Sequence, residues 1–303
     1  MIAKRIRSPQ PAVLSRLAQI PREERANLRV LDVPAGNGVV AIPLAAAGFQ
    51  VTGCDLFPEY VERNLAQFRS LGIERAIARS CKGAISRATK QGLFGNEHPT
   101  VPDRLNVVPG DMEERLPFAD ESFQIITCVE GIEHVDGQYR LIAEFRRLLQ
   151  TGGRLILTTP NMLCARSRLS YALTGQRTLK SFIDEYTEIQ DRSSDGKRIY
   201  HGHAFLVDYF QLRYYLHNNG FRITRLLPFP ASFGNIISSA LLLPLMLLAA
   251  GIGPRRARRK LERMVNEQVF PPGTRPPYRE ILSHVFSRPA LLGSVILLEA
   301  EAI

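Results

Sequence analysis

The stretch Val30–Tyr60, VLDVPAGNGVVAIPLAAAGFQVTGCDLFPEY, decides the fold. Val30–Val33 and Gln50–Cys54 are short apolar runs with the length of buried strands, and Val39–Ala47 between them has the spacing of a helix. Pro43 is tolerated there because it falls near the helix start, where its missing N–H leaves no bond unmade. The connecting turn carries Gly36 and Gly38, which let the backbone approach a ligand at the C-terminal edge of an open α/β sheet. Asp55 ends the second strand, where a nucleoside cofactor would offer two ribose hydroxyls. The spacing Gly36-x-Gly38-x-x-Ala41 also satisfies the relaxed dinucleotide fingerprint, so the glycines alone leave the ligand open.

Outward from this unit the pattern repeats. PEYVERNLAQFRSLG reads as a helix with Pro58 in its first turn and Gly72 at its end. LNVVPGDM and SFQIITCVE read as the third and fourth strands. YRLIAEFRRLL places Leu141, Ile142, Phe145, Leu148 and Leu149 on one helical face, and Thr151-Gly152-Gly153 is predicted to break that helix. RLILTTP is a fifth strand, VDYFQLRYYLHNNG a further helix, FRITRLL a sixth strand and LLGSVILLEAEA a seventh. Strands alternating with helices predict a doubly wound α/β sheet in a single domain over residues 1–303. Two segments depart from the alternation. Residues 73–104 are turn-rich, with a basic run Arg79, Lys82, Arg87 and Lys90, and read as a lid insertion; residues 229–291, apolar and then basic, lie between the sixth and seventh strands.

Of the 303 residues, 45% are hydrophobic, enough for a sizeable core, and 39 Lys and Arg against 29 Asp and Glu give a formal charge of +10. Such a charge favours anionic surroundings, nucleic acid or an anionic membrane surface. Cys54, Cys81, Cys128 and Cys164 show no paired short spacing, so they read as small apolar residues in a reducing compartment. The start, MIAKRIRSPQPAVLSRL, is basic without the apolar core of a secretory signal, and Ser8-Pro9 reads as a helix start; a cytoplasmic location is expected.

Two features bear on the ligand. Asp32 stands just before the glycine turn, where a carboxylate would repel a pyrophosphate but suit the ammonium and sulfonium of S-adenosylmethionine. In GDMEERLPFADESFQIITCVEGIEHV, Gly110–Val135, Asp111 can accept from an adenine amino group and Met112 can bracket the ring. With these stretches the sequence resembles the class I S-adenosylmethionine-dependent methyltransferases, within the broad group that includes ubiquinone-pathway O-methyltransferases. The resemblance covers residues 28–228 and the last strand. It rests on LDVPAGNG, with Pro34 where a glycine is commoner, on GDMEERLPFADESFQII, and on LLQTGGRLILTTPN. It implies a Rossmann-like, seven-stranded mixed sheet whose last strand runs antiparallel between the fifth and sixth, here with an apolar helical insertion before that strand. It further implies that Asp32, Pro34, Gly36 and Gly38 line the methionine end of the cofactor, that Asp55 and Leu56 hold the ribose, that Asp111 and Met112 hold the adenine, and that Val129 and Glu130 close the pocket.

Methyl transfer is an in-line displacement at a sulfonium, so the protein must align the nucleophile and, for a hydroxyl, take its proton. Glu133-His134, after the fourth strand, would sit beside the methyl group, and His134, titrating near neutrality, is the candidate base; the rival reading is that His134 only caps or packs the next helix. Glu130, Glu133 and His134, with His201 and His203 downstream, also form a candidate divalent-metal site of the kind seen in methyltransferases this chain resembles.

From Leu226 to Pro254 no residue is charged, and RRARRK, Arg255–Lys260, follows at once. About 18 apolar residues would just span a bilayer. A single span would strand the seventh strand on the wrong side, so a monotopic or re-entrant hairpin bent near Pro244 is expected, its basic flank on anionic headgroups at the inner membrane face. A soluble lid or dimer contact is the rival. Nucleic acid is disfavoured, since the Arg run has no interleaved aromatics and the chain no Trp. The sequence thus predicts a membrane-associated, O-directed methyltransferase for a lipid or lipid-linked acceptor, such as a prenylated quinone precursor or a glycolipid. Its rivals are a soluble small-molecule or sugar methyltransferase, a nicotinamide-dependent dehydrogenase and a non-catalytic cofactor-binding scaffold.

Overall fold

The computed structural model describes residues 8–80, 85–96, 99–102, 105–176, 190–192, 198–200, 202–267 and 277–303. The elements run α1 Gln10–Leu17, α2 Arg22–Arg25, β1 Arg29–Asp32, α3 Ala41–Ala46, β2 Gln50–Asp55, α4 Glu59–Leu71, α5 Ile73–Ser80, α6 Arg87–Phe94, β3 Asn106–Pro109 and β4 Phe123–Val129. A 3₁₀ turn, Ile132–His134, precedes α7 Gln138–Leu148 and β5 Leu149–Pro160. Then follow α8 Ala165–Thr174, β6 Gln190–Arg192, β7 Arg198–Tyr200, α9 Tyr209–Asn218, β8 Phe221–Leu226, α10 Phe233–Asn266, α11 Tyr278–Val285, α12 Arg288–Leu292 and β9 Val295–Ala302.

The seven predicted strands form one sheet in the order β3-β2-β1-β4-β5-β9-β8, and β6 pairs separately with β7. β1 to β5 are parallel, while β9 runs antiparallel to both β5 and β8. That order departs from the all-parallel 3-2-1-4-5-6 sheet of dinucleotide enzymes. The central strands are apolar on both faces, because helices cover both sides of a parallel sheet: Val30, Leu31, Ile125, Ile126, Leu155 and Leu157 are all buried. Each such side chain contributes about 1.5–3 kcal/mol relative to exposure.

The chain divides into two compact units. The first comprises Met1–Pro160, Ile183–Phe229 and Val295–Ile303, the second Asn161–Phe182 and Pro230–Ser294. The apolar insertion thus shares its unit with the segment after β5. There Asn161 is a fully buried knot. Its amide donates to the carbonyls of Ala290 (2.8 Å) and Gly293 (2.7 Å), and its oxygen accepts from the N–H groups of Leu163 and Cys164.

In the first unit the described parts of 73–104 contribute to the core. Ile73, Ala76, Ile77, Leu93 and Phe94 join the core around Val13, Leu14 and Phe68. Arg25 fastens this layer from within: its buried guanidinium donates to the carbonyls of Ile20, Leu93 and Gly92, each at 2.7 Å, and lies over the Phe49 ring. Burial lowers its pKa. Cys81 and Lys82 lie outside the described residues; Cys54, Cys128 and Cys164 are buried free thiols.

Two local expectations give way to tertiary context. The glycine pair does not end α7, which stops at Leu148 and passes straight into β5. Leu149 pairs with Phe123 and pairing resumes only at Arg154 with Ile125, so the glycines form a bulge within the strand, Gly152 at φ +80°. Nor does Pro244 turn the chain: α10 is one helix of 34 residues that runs through it. A proline removes one helical hydrogen bond, which a long apolar helix tolerates as a local defect. Among the described residues no helix is long and apolar enough to cross a membrane.

Candidate functional site

The site lies where β1, β2, β3 and β4 end side by side. After Asp32 the Val33–Pro34 peptide is cis, and the turn follows with Gly36 at φ +50° and Gly38 at φ +67°, a region costly for any residue with a Cβ. The turn is stitched to its neighbours: Val33 N–H donates to Thr127 O and Ala35 N–H to Cys54 O, both at 2.9 Å. Asp55 completes the stitching. Its Oδ2 accepts from Gly36 N–H (2.7 Å) and its Oδ1 from Phe57 N–H (2.9 Å). Each oxygen keeps a second lone pair for a ligand hydroxyl.

Asp32 behaves differently from its neighbours. It is buried, Thr127 Oγ1 donates to its Oδ1 (2.7 Å), and Ala41 N–H donates to its Oδ2 (3.1 Å). Burial pushes its pKa up to about 7, against the opposing pull of those two bonds. It therefore braces the turn from behind.

After β3, Gly110 N–H donates to Asp55 O (3.0 Å), and Asp111 Oδ1 accepts from Glu113 N–H (3.0 Å) in a tight turn. The following Leu116-Pro117-Phe118 run is held by Arg147, which donates to the carbonyls of Leu116 and Phe118 and pairs with Glu144 and Asp120, each at 2.6 Å. After β4, Glu130 takes the left-handed backbone at φ +52°, unusual without a glycine, with its N–H on Thr158 Oγ1. Gln10 at the start of α1 reaches its carboxylate at 3.5 Å.

Between these ends opens a cavity of about 260 Å³. Of the candidate site residues, Pro34, Asp55, Leu56, Asp111, Met112 and His134 line it; Cys54, Phe57, Gly110, Glu113 and Val135 line it too. Asp32, Gly36, Gly38, Val129, Glu130 and Glu133 do not line this cavity: the glycines and Asp32 shape its floor from behind, and Val129 and Glu133 are buried. The added residues are sequence neighbours of those named, so the motif's own flanks were the signal. Three carboxylates in its wall, Asp55, Asp111 and Glu113, suit a cationic or hydroxyl-rich ligand. The Cys54 thiol, buried beside Asp55, is pushed up to about 12 and stays neutral.

His134 is positioned by the 3₁₀ turn, whose Gly131 O accepts its N–H (3.0 Å). The segment after β7 docks on that turn. Phe205 N–H donates to Glu133 O, while the buried Gln138 amide donates to the carbonyls of both Ile132 and Phe205. This brings the His203 ring to 5.4 Å from that of His134, and one ligand atom from each of Glu133, His134 and His203 within 4.8 Å of the others. A carboxylate with two imidazoles is a donor set that fits a divalent transition ion. Of the other residues expected in this set, Glu130 is not part of the cluster and His201 lies outside the described residues.

The methyltransferase domain family matches residues 2–226. Over 134 residues the chain is 32% identical to a ubiquinone/menaquinone biosynthesis C-methyltransferase of Geotalea daltonii, covering 43% of this chain and 45% of that protein. Over 141 residues it is 33% identical to a ubiquinone biosynthesis O-methyltransferase of Xanthomonas oryzae, 46% of each. The chain thus spans about half the length of the curated relatives it matches. A solved S-adenosylmethionine-dependent methyltransferase from Mesorhizobium loti aligns over 95% of both chains at 15% identity, with a TM-score of 0.43. With more than two thirds of its length matched, the chain belongs to the methyltransferase domain family, whose S-adenosylmethionine-dependent members its motifs resemble.

Proposed function

We propose that the protein transfers a methyl group from S-adenosylmethionine to a hydroxyl of a lipid or lipid-linked acceptor at a membrane surface. The acid-lined cavity at the strand ends, with His134 in its wall, carries this reading. Asp55, with Leu56 beside it, would hold the ribose and accept both its hydroxyls, and Asp111 would accept the adenine amino group with Met112 against the ring. The acceptor oxygen attacks the sulfonium methyl in line, the carbon–sulfur bond breaks with its electron pair left on sulfur, and His134 takes the hydroxyl proton. Incubation with methyl-labelled donor and a membrane lipid extract tests this: label should enter a lipid one methylene heavier than its precursor. Label confined to water-soluble products would favour a small-molecule or sugar acceptor instead.

Attachment to the membrane is supported by α10. Its first half is uncharged, and Phe233, Leu241, Leu245 and Leu248 are exposed, while Arg255–Lys260 follow. Flotation with anionic liposomes tests it, and a protein that stays in the aqueous fraction would reduce the insertion to a lid.

A second reading of the chemistry rests on the Glu133, His134 and His203 cluster. These residues would hold a divalent ion, which would supply a lowered hydroxyl pKa at the acceptor. His134 would then be a ligand rather than the base. Loss of activity on chelation, restored by metal, favours this reading; full activity after exhaustive chelation removes it.

A further inference from the structure

The helix pair α8 and α10 is built with its polarity reversed. A helix on a water-soluble body turns its apolar stripe inward. α10 does the opposite: Asn235 is 1% and Ser238 8% exposed, whereas Phe233 is 77%, Leu241 68% and Leu248 68% exposed. α8 packs against α10 and buries Ser167 and Ser170, while Tyr171 and Leu173 at its other end face outward. The buried polar groups join the interior. Asn235 donates to Leu292 O (2.9 Å), and the half-buried Ser239 Oγ approaches Leu291 O at 3.5 Å. Small and polar residues between helices with apolar side chains outside are the arrangement of helices packed in lipid.

On the reading that the protein works at a membrane, we infer that α8 and α10 enter the bilayer together, as one foot, with α10 lying along the membrane plane. The occupant of the exposed apolar face is the acyl region of an anionic bilayer. Three observations fix the orientation. α10 is unbroken over 34 residues, about 51 Å at 1.5 Å per residue, well beyond the ~30 Å hydrocarbon core. The chain must return to β9, which pairs with β5 and β8 in the sheet. The five cations of Arg255–Lys260 continue the same helix, and Arg259 and Lys260 are exposed. An upright helix would carry those cations to the far headgroup layer; a flat one keeps them at the near layer, beside the lipid phosphates. Tyr171 and Leu173 make α8 the second contact.

The chain has no Trp, so one introduced Trp reports on one position. Single variants Leu241→Trp, Leu245→Trp, Leu248→Trp and Leu173→Trp would be titrated with vesicles of phosphatidylcholine and phosphatidylglycerol carrying bromines at defined acyl depths. A flat foot predicts quenching of all four, with a similar depth at 241, 245 and 248, and weaker binding at high salt. Steadily deeper quenching from 241 to 248, or quenching on α10 without any at 173, overturns the inference while leaving membrane attachment standing. Wild-type protein that does not bind the vesicles overturns both. Trp emission already that of a buried residue without lipid, and unchanged by vesicles, would give the face to a second copy of the chain and also overturn it.

Discussion

Asp55 Oδ2 accepts the Gly36 N–H at 2.7 Å, so the carboxylate that ends β2 also holds the turn that follows β1. One residue thus shapes the floor of the cavity and lines its wall. Asp55→Ala should weaken S-adenosylmethionine binding roughly 10–100-fold, the loss of hydrogen bonds to a charged group at about 1.5–3 kcal/mol. A titration of the folded variant with wild-type affinity would remove Asp55 from the donor site.

Gly131 and Pro34 are a packed pair. A Cβ on Gly131 would lie 2.3 Å from Pro34 Cδ and 3.2 Å from Cys128 Sγ. Gly131→Ala should therefore cost about 1–3 kcal/mol of stability. Adding Pro34→Gly should recover part of that loss, and denaturant midpoints for the two singles and the double would measure the coupling. Strict additivity would mean the two residues do not constrain each other.

Asp32 predicts a pH signature. Its folded pKa is raised by burial to about 7 from 3.8. Between about pH 4 and 7 the folded state keeps a proton that the unfolded chain has lost, so this group's contribution makes stability fall as pH rises through that window. Subtracting the Asp32→Asn profile from the wild-type one should reveal that slope, on the order of a few kcal/mol in total. Parallel profiles would show that the Asp32 carboxyl is already ionised at low pH.

His134, in the cavity wall, should matter to turnover rather than to donor affinity. His134→Ala is expected to slow methyl transfer roughly 100–10,000-fold and to abolish the limb of the pH–rate profile near the histidine pKa. Donor affinity should change by no more than a few fold. Retained turnover would return His134 to a packing role.

Much of the sheet was legible because buried parallel strands write themselves as short apolar runs, and Asp55, Asp111 and Met112 follow those runs directly. What escaped was long-range. Asp32 is spent on Thr127, 95 residues away, and no local pattern reveals that partner. The Gln138 tie to Phe205, which sets His203 against His134, spans 67 residues. Pro244 shows the opposite failure. A strong local signal for a bend is overridden in a long helix that accommodates one missing hydrogen bond. The core contacts of Ile73, Ile77, Leu93 and Phe94 were likewise not legible in the turn-rich stretch 73–104.

The most direct test of the donor site is calorimetric titration of the wild-type protein with S-adenosylmethionine, S-adenosylhomocysteine and a nicotinamide dinucleotide. The account predicts saturable binding of the first two at one site per chain, lost or greatly weakened in Asp55→Ala, and none of the third. Folded protein that takes up the dinucleotide, or neither sulfur compound, would contradict it.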